Sequence, residues 1–152
     1  MKPREKPLVR PTFETLCMNQ AAGVSHRSTC RRLSVGCVIY TVDFQRMLAW
    51  GYNGNAAGLP NDCESDEPGN CACVHAEANA ITKCKEGKET PKVVFCTDLP
   101  CKMCAKMLIN LGGVQKVIYL RDYRIKDSLA LFKFVDISAE LFDPEKYKDV
   151  MG

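Results

Sequence analysis

Four residues carry the chemistry this sequence offers: His75 and Glu77 in "VHAEANAI", and Cys101 and Cys104 in "LPCKMCAKM". One imidazole and two thiolates form a borderline-soft donor set suited to tetrahedral zinc. They supply three ligands where a structural zinc takes four, so a fourth position stays open to water. Two thiolates balance the charge of Zn2+, whereas four would leave a net negative and poorer Lewis acid. Glu77, two residues after His75, can point into the same pocket without ligating. A carboxylate there can take a proton from a zinc-activated water and later deliver it. Alone, C-x-x-C is a structural half-site or a redox pair, and H-x-E carries little information. A redox role leaves His75 and Glu77 unused, and the combination with Pro100 is what is specific.

Two helix starts must bring these residues together. Phe13, Leu16, Cys17 and Ala21 predict a helix over 12–25 with Thr12 as N-cap. "VGCVIYT" (35–41) and "RMLAWGYN" (46–53) read as an antiparallel hairpin. An irregular loop, 54–74, follows. Further along, helices are expected over 75–87, ending at Gly87, and over 101–111, stopped by Gly112 and Gly113. Strands are expected over 92–97 and 114–120, then a helix over 126–134 and an end without clear pattern. This order predicts a mixed sheet covered by helices. The helix from His75 leaves one edge of the sheet, the strand 92–97 returns to it, and the helix from Cys101 starts there. Ala76, Ala78 and Ala80 are small enough for close backbone approach. A helix N-terminus favours a thiolate, and residues three apart share a helix face.

The 152 residues suit a single domain over 12–152 preceded by a flexible arm, 1–11. Hydrophobic content of 46% and charged content of 26% are those of an ordinary soluble globular protein. The net charge of +3 comes without a dense Lys/Arg tract, so long nucleic acid is not expected as a partner. No apolar run is long enough for a membrane span, and the N-terminus has no apolar leader core. The ten cysteines are therefore expected as reduced thiols in a cytoplasmic protein, some of them metal ligands.

The H-x-E…P-C-x-x-C arrangement is the signature of zinc deaminases. With "CRRLSVGCVIY", "GYNGNAAGLPNDC" and "PCKMCAKMLINLGGVQKVIY", residues 12–125 resemble the cytidine deaminase superfamily, and within it the deoxycytidylate deaminases. The resemblance implies a three-layer α/β/α sandwich on a mixed five-stranded sheet. It implies hydrolysis of dCMP to dUMP and ammonia, supplying thymidylate synthesis. A zinc-activated water attacks C4, and Glu77 protonates N3 and then the departing amine. The Ala76 N–H and the Leu99 carbonyl hold the ring carbonyl and the amino group. Asn53, in the "GYNG" turn, holds a sugar hydroxyl or phosphate; the plainer alternative is a turn residue. Tyr123 and Arg124 are phosphate contacts by similarity, and Arg27, Arg31 and Arg32 are further cations; the alternative is a solvated charged loop. The family also implies dCTP and dTTP effectors, Mg2+ with the effector nucleotide, and a homohexamer.

Cys30 and Cys63 fall where some members hold a second, structural zinc. His26, which could sit one helical turn before Cys30, Cys71 and Cys73 are its candidate further ligands, and free or buried thiols are the alternative. Cys17, Cys37, Cys84 and Cys96 lie on apolar patterns and are assigned to the core. Cys37 stands where many relatives have Ala, the loop 64–72 has its own length and acidity, and Met103 also occurs in the zinc box of tRNA adenosine deaminases. Two rivals follow: a deaminase of cytidine, dCTP, tRNA adenosine or single-stranded DNA, and a non-catalytic zinc-stabilised nucleotide-binding module.

Overall fold

Thr12 opens the first helix as expected. Its backbone is extended, its hydroxyl accepts the Thr15 N–H at 3.1 Å, and α1 runs over Phe13–Ser25. The computed structural model describes residues 1–3 and 10–146. The arm expected over 1–11 lies mostly outside the described residues, as do residues 147–152. After α1 come β1 (Gly36–Thr41), β2 (Met47–Tyr52), α2 (Ala76–Lys83), β3 (Lys92–Asp98), α3 (Lys102–Leu111), β4 (Val114–Arg121), α4 (Asp127–Phe134) and β5 (Ser138–Leu141).

The sheet has five strands in the order β2-β1-β3-β4-β5. β1 is antiparallel to β2 and β3, while β3, β4 and β5 run parallel. Alternate side chains of the central strands go to opposite faces. Val38, Tyr40, Val93, Phe95 and Ile118 meet α1 through Cys17, Met18 and Ala21. Cys37, Ile39, Val94, Cys96 and Val117 meet the other helices through Ala76, Ala80, Ala105, Leu108 and Phe132. The result is the three-layer α/β/α sandwich. Cys17, Cys37 and Cys96 are fully buried in it, and Cys84 packs at its margin.

The structure differs from the sequence-based expectation in three places. β3 is a central strand rather than an edge, so α2 and α3 begin at one end of the sheet, not at its lateral border. α2 ends at Lys83, with Cys84 already extended, so Gly87 does not stop it. The cause is Lys92, fully buried, whose ammonium donates to the carbonyls of Gly87, Thr90 and Gly112 at 2.5, 2.9 and 2.9 Å. The chain leaves the helix early to wrap those carbonyls around the charge. The third difference is β5, four residues that pair with β4 where no element was read. In the same region Phe132 is core, Phe142 packs on the α1 side, and Phe134 is 89% exposed. The stop after α3 is as expected, with Gly112 and Gly113 at φ 83 and 75.

Gly51 sets the distance between β2 and α2. A Cβ there would stand 2.4 Å from the Ala76 carbonyl oxygen and 2.5 Å from the Ala80 nitrogen. Ala76 and Ala80 are fully buried at this contact, while Ala78 is only partly buried.

Candidate active site

His75 is the N-cap of α2 and Cys101 the N-cap of α3. The first makes no side-chain cap bond, which leaves its imidazole free. The second accepts the Cys104 N–H on its sulfur at 3.4 Å. His75 Nδ1 lies 3.5 Å from Cys101 Sγ and 3.4 Å from Cys104 Sγ. Ordinary zinc–nitrogen and zinc–sulfur bonds at a tetrahedral angle require about 3.5 Å between such atoms, so the three donors fit that ion. The sulfur of Cys101 is held at about 4, well below a normal thiol, first by a hydrogen bond from Cys104 and then by His75; burial opposes the shift. Cys104 is correspondingly pushed up, first by its hydrogen bond with Cys101 and then by burial. The Cys101 sulfur raises the pKa of His75.

Glu77 is in the first turn of α2 and only 4% exposed. Burial raises its carboxyl above the usual range, which favours the protonated form relative to an exposed glutamate. It borders a cavity of about 500 Å3 together with His75 and Cys101. Asn53, Ala76, Leu99, Tyr123 and Arg124, all named from the sequence, line the same cavity that His75 and Cys101 border.

Three details were not legible in advance. The Asn53 side chain braces the pocket wall: its amide donates to the Leu33 carbonyl at 2.7 Å, and its oxygen accepts the Val35 N–H at 2.8 Å. Of the three arginines after α1, Arg32 reaches the cavity. Arg31 is paired with Asp62 and Asp66, and Arg27 lies over the Tyr52 ring. Asp98 also borders the cavity, clamped by Arg121.

A second thiol cluster adjoins the first. The sulfurs of Cys30, Cys63 and Cys73 lie within 4.8 Å of one another, with Cys63 and Cys73 at 3.8 Å. Burial works against ionising Cys30, yet the Arg32 and Leu33 N–H groups bring its pKa down. Burial raises Cys73. Cys71 lies outside that group of three but interacts with Cys73. His26 is not part of the cluster. α1 ends at Ser25, so His26 is its exposed C-cap and no longer one helical turn from Cys30. The loop that carries Cys63, Cys71 and Cys73 is closed at its neck by reciprocal bonds between Gly54 and Val74, at 3.1 and 2.7 Å.

The cytidine and deoxycytidylate deaminase zinc-binding region matches residues 11–121. The chain belongs to that deaminase family. It is 31% identical over 148 residues to deoxycytidylate deaminase of Saccharomyces cerevisiae, covering 90% of this chain and 46% of that protein. It is 39% identical over 121 residues to ComE operon protein 2 of Bacillus subtilis, covering 76% and 62% of the two chains. The chain thus spans about half to three-fifths of the length of these relatives. Its fold matches the crystal structure of dCMP deaminase from the cyanophage S-TIM5 in complex with dCMP and dUMP. There the TM-score is 0.76 at 30% identity, covering 89% of this chain and 100% of that one. Among the described residues, no helix is long and apolar enough to cross a membrane.

Proposed function

We propose that this deaminase hydrolyses dCMP to dUMP and ammonia, with zinc held by His75, Cys101 and Cys104. The observation that carries the reading is an incomplete donor set, one imidazole and two sulfurs, facing a cavity beside a buried carboxyl. The match over the whole cyanophage dCMP deaminase chain and 89% of this one supports dCMP as the substrate. Bound zinc supplies Lewis acidity, which brings the pKa of a water to about 7.

The chain's own residues do the rest. Glu77 takes a proton from water, passes one to N3 of cytosine, and passes a second to the amino group as the C4–N bond breaks. One C–O bond forms, one C–N bond breaks, and ammonia leaves with the balance of protons from water. The Ala76 N–H, at the first turn of α2, donates to the ring carbonyl. The Leu99 carbonyl accepts from the exocyclic amine. Asn53 retains one unused donor and one unused lone pair for a sugar hydroxyl. Arg32, Tyr123 and Arg124 receive the phosphate, with Arg124 and Arg32 as cations.

The proposal extends to a second, structural zinc on Cys30, Cys63 and Cys73, with Cys71 as the fourth donor. Such a tie would stabilise a loop with little apolar content. The effector expectation, dCTP or dTTP with Mg2+, is supported by a second cavity of about 290 Å3 lined by Arg27, Thr29, Tyr52, Asn79 and Lys83. It offers two cations, an aromatic face, and a buried Thr29 hydroxyl without a partner among the described residues. A homohexamer and a cytoplasmic location follow from the family resemblance.

The test is product formation by the zinc-loaded protein on a panel: dCMP, dCTP, cytidine, AMP, a single-stranded oligonucleotide and a tRNA. Release of dUMP from dCMP well ahead of the rest supports the reading. Preferred, steeply salt-dependent turnover of a polynucleotide overturns the substrate.

A further inference from the structure

Part of the cavity wall is built from two chain segments far apart in sequence: residues 33–36 entering β1, and residues 98–99 leaving β3. Leu33, Val35, Asp98 and Leu99 all border the cavity. The β1–β3 ladder begins at Cys37 and Cys96, and among the described residues no backbone–backbone hydrogen bond joins the two segments beyond it. Arg121, the last residue of β4, does so through three separate contacts.

Its guanidinium forks onto the Asp98 carboxylate, with Nε to Oδ1 at 3.1 Å and Nη2 to Oδ2 at 2.9 Å. The same Nη2 reaches the Ser34 carbonyl at 3.4 Å. Its backbone carbonyl accepts the Leu99 N–H at 2.9 Å. Thr97 completes the tie: its hydroxyl accepts the Gly36 N–H at 3.1 Å and donates to Asp98 Oδ2 at 3.1 Å. The parallel register of β3 and β4 sets Asp98 directly opposite Arg121, so the pairing is fixed by the sheet. The Asp98 side chain is only 9% exposed and the Arg121 side chain 53%. The carboxylate is therefore a wall component that depends on a cation reaching it from solvent. A planar two-pronged donor fixes both oxygens of a carboxylate, which an ammonium cannot do.

We propose that Arg121 and Asp98 are a positioning pair for nucleotide binding: together they hold the Leu33–Gly36 wall and the Asp98–Leu99 segment at the spacing the nucleotide requires. Among the described residues, no hydrogen bond or ion pair links the pair to the zinc ligands or to Glu77. It also cancels a carboxylate charge inside a cavity that must accept a phosphate. Removing it relaxes the wall and weakens binding, while the proton chemistry persists. The proposal rests on the dCMP reading above, and its test includes a measurement that does not depend on turnover.

Four variants are compared with the wild type: Arg121→Met, Arg121→Lys, Asp98→Asn and the double variant. Lys116→Gln, which loses an ion pair to Glu140 on the far part of the same strand, is the control. KM and kcat for dCMP, bound zinc, and amide hydrogen exchange at Gly36 and Leu99 are measured for each. Arg121→Met is expected to raise KM about tenfold or more, leave kcat within about threefold, retain zinc, and speed exchange at both amides. Asp98→Asn is expected to do the same. The double variant should be no worse than either single one, because the pair acts as a unit. Arg121→Lys should fall between, since it keeps the charge and loses the fork; being the gentler change, it keeps the test available if Arg121→Met does not fold. Unchanged KM, additive effects in the double variant, or a fall in kcat with loss of zinc would each overturn the proposal. Should the wild type fail to convert dCMP, the function reading falls; exchange rates in Arg121→Met that match the wild type overturn the clamp independently.

Discussion

Replacing Gly51 by Ala tests how the sheet places the chemistry. Ordinary contact begins near 3.4 Å, and the added Cβ would stand 2.4 Å from the Ala76 carbonyl oxygen, so β2 and α2 must part by about 1 Å. Both atoms at the contact are backbone, and no side chain can swing aside. Overpacking of this kind costs about 1–3 kcal/mol, or a fall in Tm of about 3–10 °C for a chain of this size. The larger effect is on function. α2 carries His75 at its N-cap and Glu77 in its first turn, and a misplacement of about 1 Å can cost about 100-fold in rate. Urea unfolding, zinc affinity and kcat/KM for dCMP are measured on Gly51→Ala. A small loss of stability with a disproportionate loss of kcat/KM and weaker zinc binding is the expected outcome. A variant with an unchanged urea midpoint and kcat/KM within twofold of wild type would refute the view that this contact sets the helix position.

Lys92→Met removes a buried cation and leaves the Thr90 and Gly112 carbonyls without that donor. A loss of about 2–5 kcal/mol is expected in urea unfolding, and a change under about 0.5 kcal/mol would contradict the wrapping role. Cys73→Ser should lower bound zinc from two ions per chain to one, read by metal analysis, while dCMP turnover at the first site persists; unchanged stoichiometry sinks the second site. Burial raises Cys17 from 9.0 to about 12. The folded state therefore keeps a proton that the unfolded state loses, so stability is full below pH 9 and declines from there toward pH 12. Cys17→Ala should flatten that part of the stability–pH curve, and an equally steep decline in the variant would contradict it.

What the sequence made legible is what local chemistry determines. Thr12 caps a helix because its hydroxyl meets a free N–H, and two consecutive glycines end α3 because both take positive φ. His75, Glu77, Cys101 and Cys104 were readable because each sits at a helix start, where spacing of two or three residues fixes direction. The failures share a different cause. Gly87 looked like a helix stop, yet α2 ends earlier because Lys92, beyond the helix, recruits the intervening carbonyls. β5 carries only four residues, none fully buried, and exists through pairing with β4. His26 could sit one helical turn before Cys30 only if residues 26–30 were helical, and they are not. Asp98 and Arg121 become partners only through the β3–β4 register, and Asn53 finds its two partners only when Leu33–Val35 is folded against it. No local pattern contains such contacts.

The account stands on Glu77 as the proton carrier, and Glu77→Gln is its most direct test because the amide keeps the shape and loses the exchangeable acid. Rapid-quench measurement of dUMP from dCMP, with zinc content determined on the same sample, should show kcat lower by about 100- to 10,000-fold with zinc and dCMP binding close to wild type. Product formation within about threefold of wild type by a fully zinc-loaded Gln variant would contradict it.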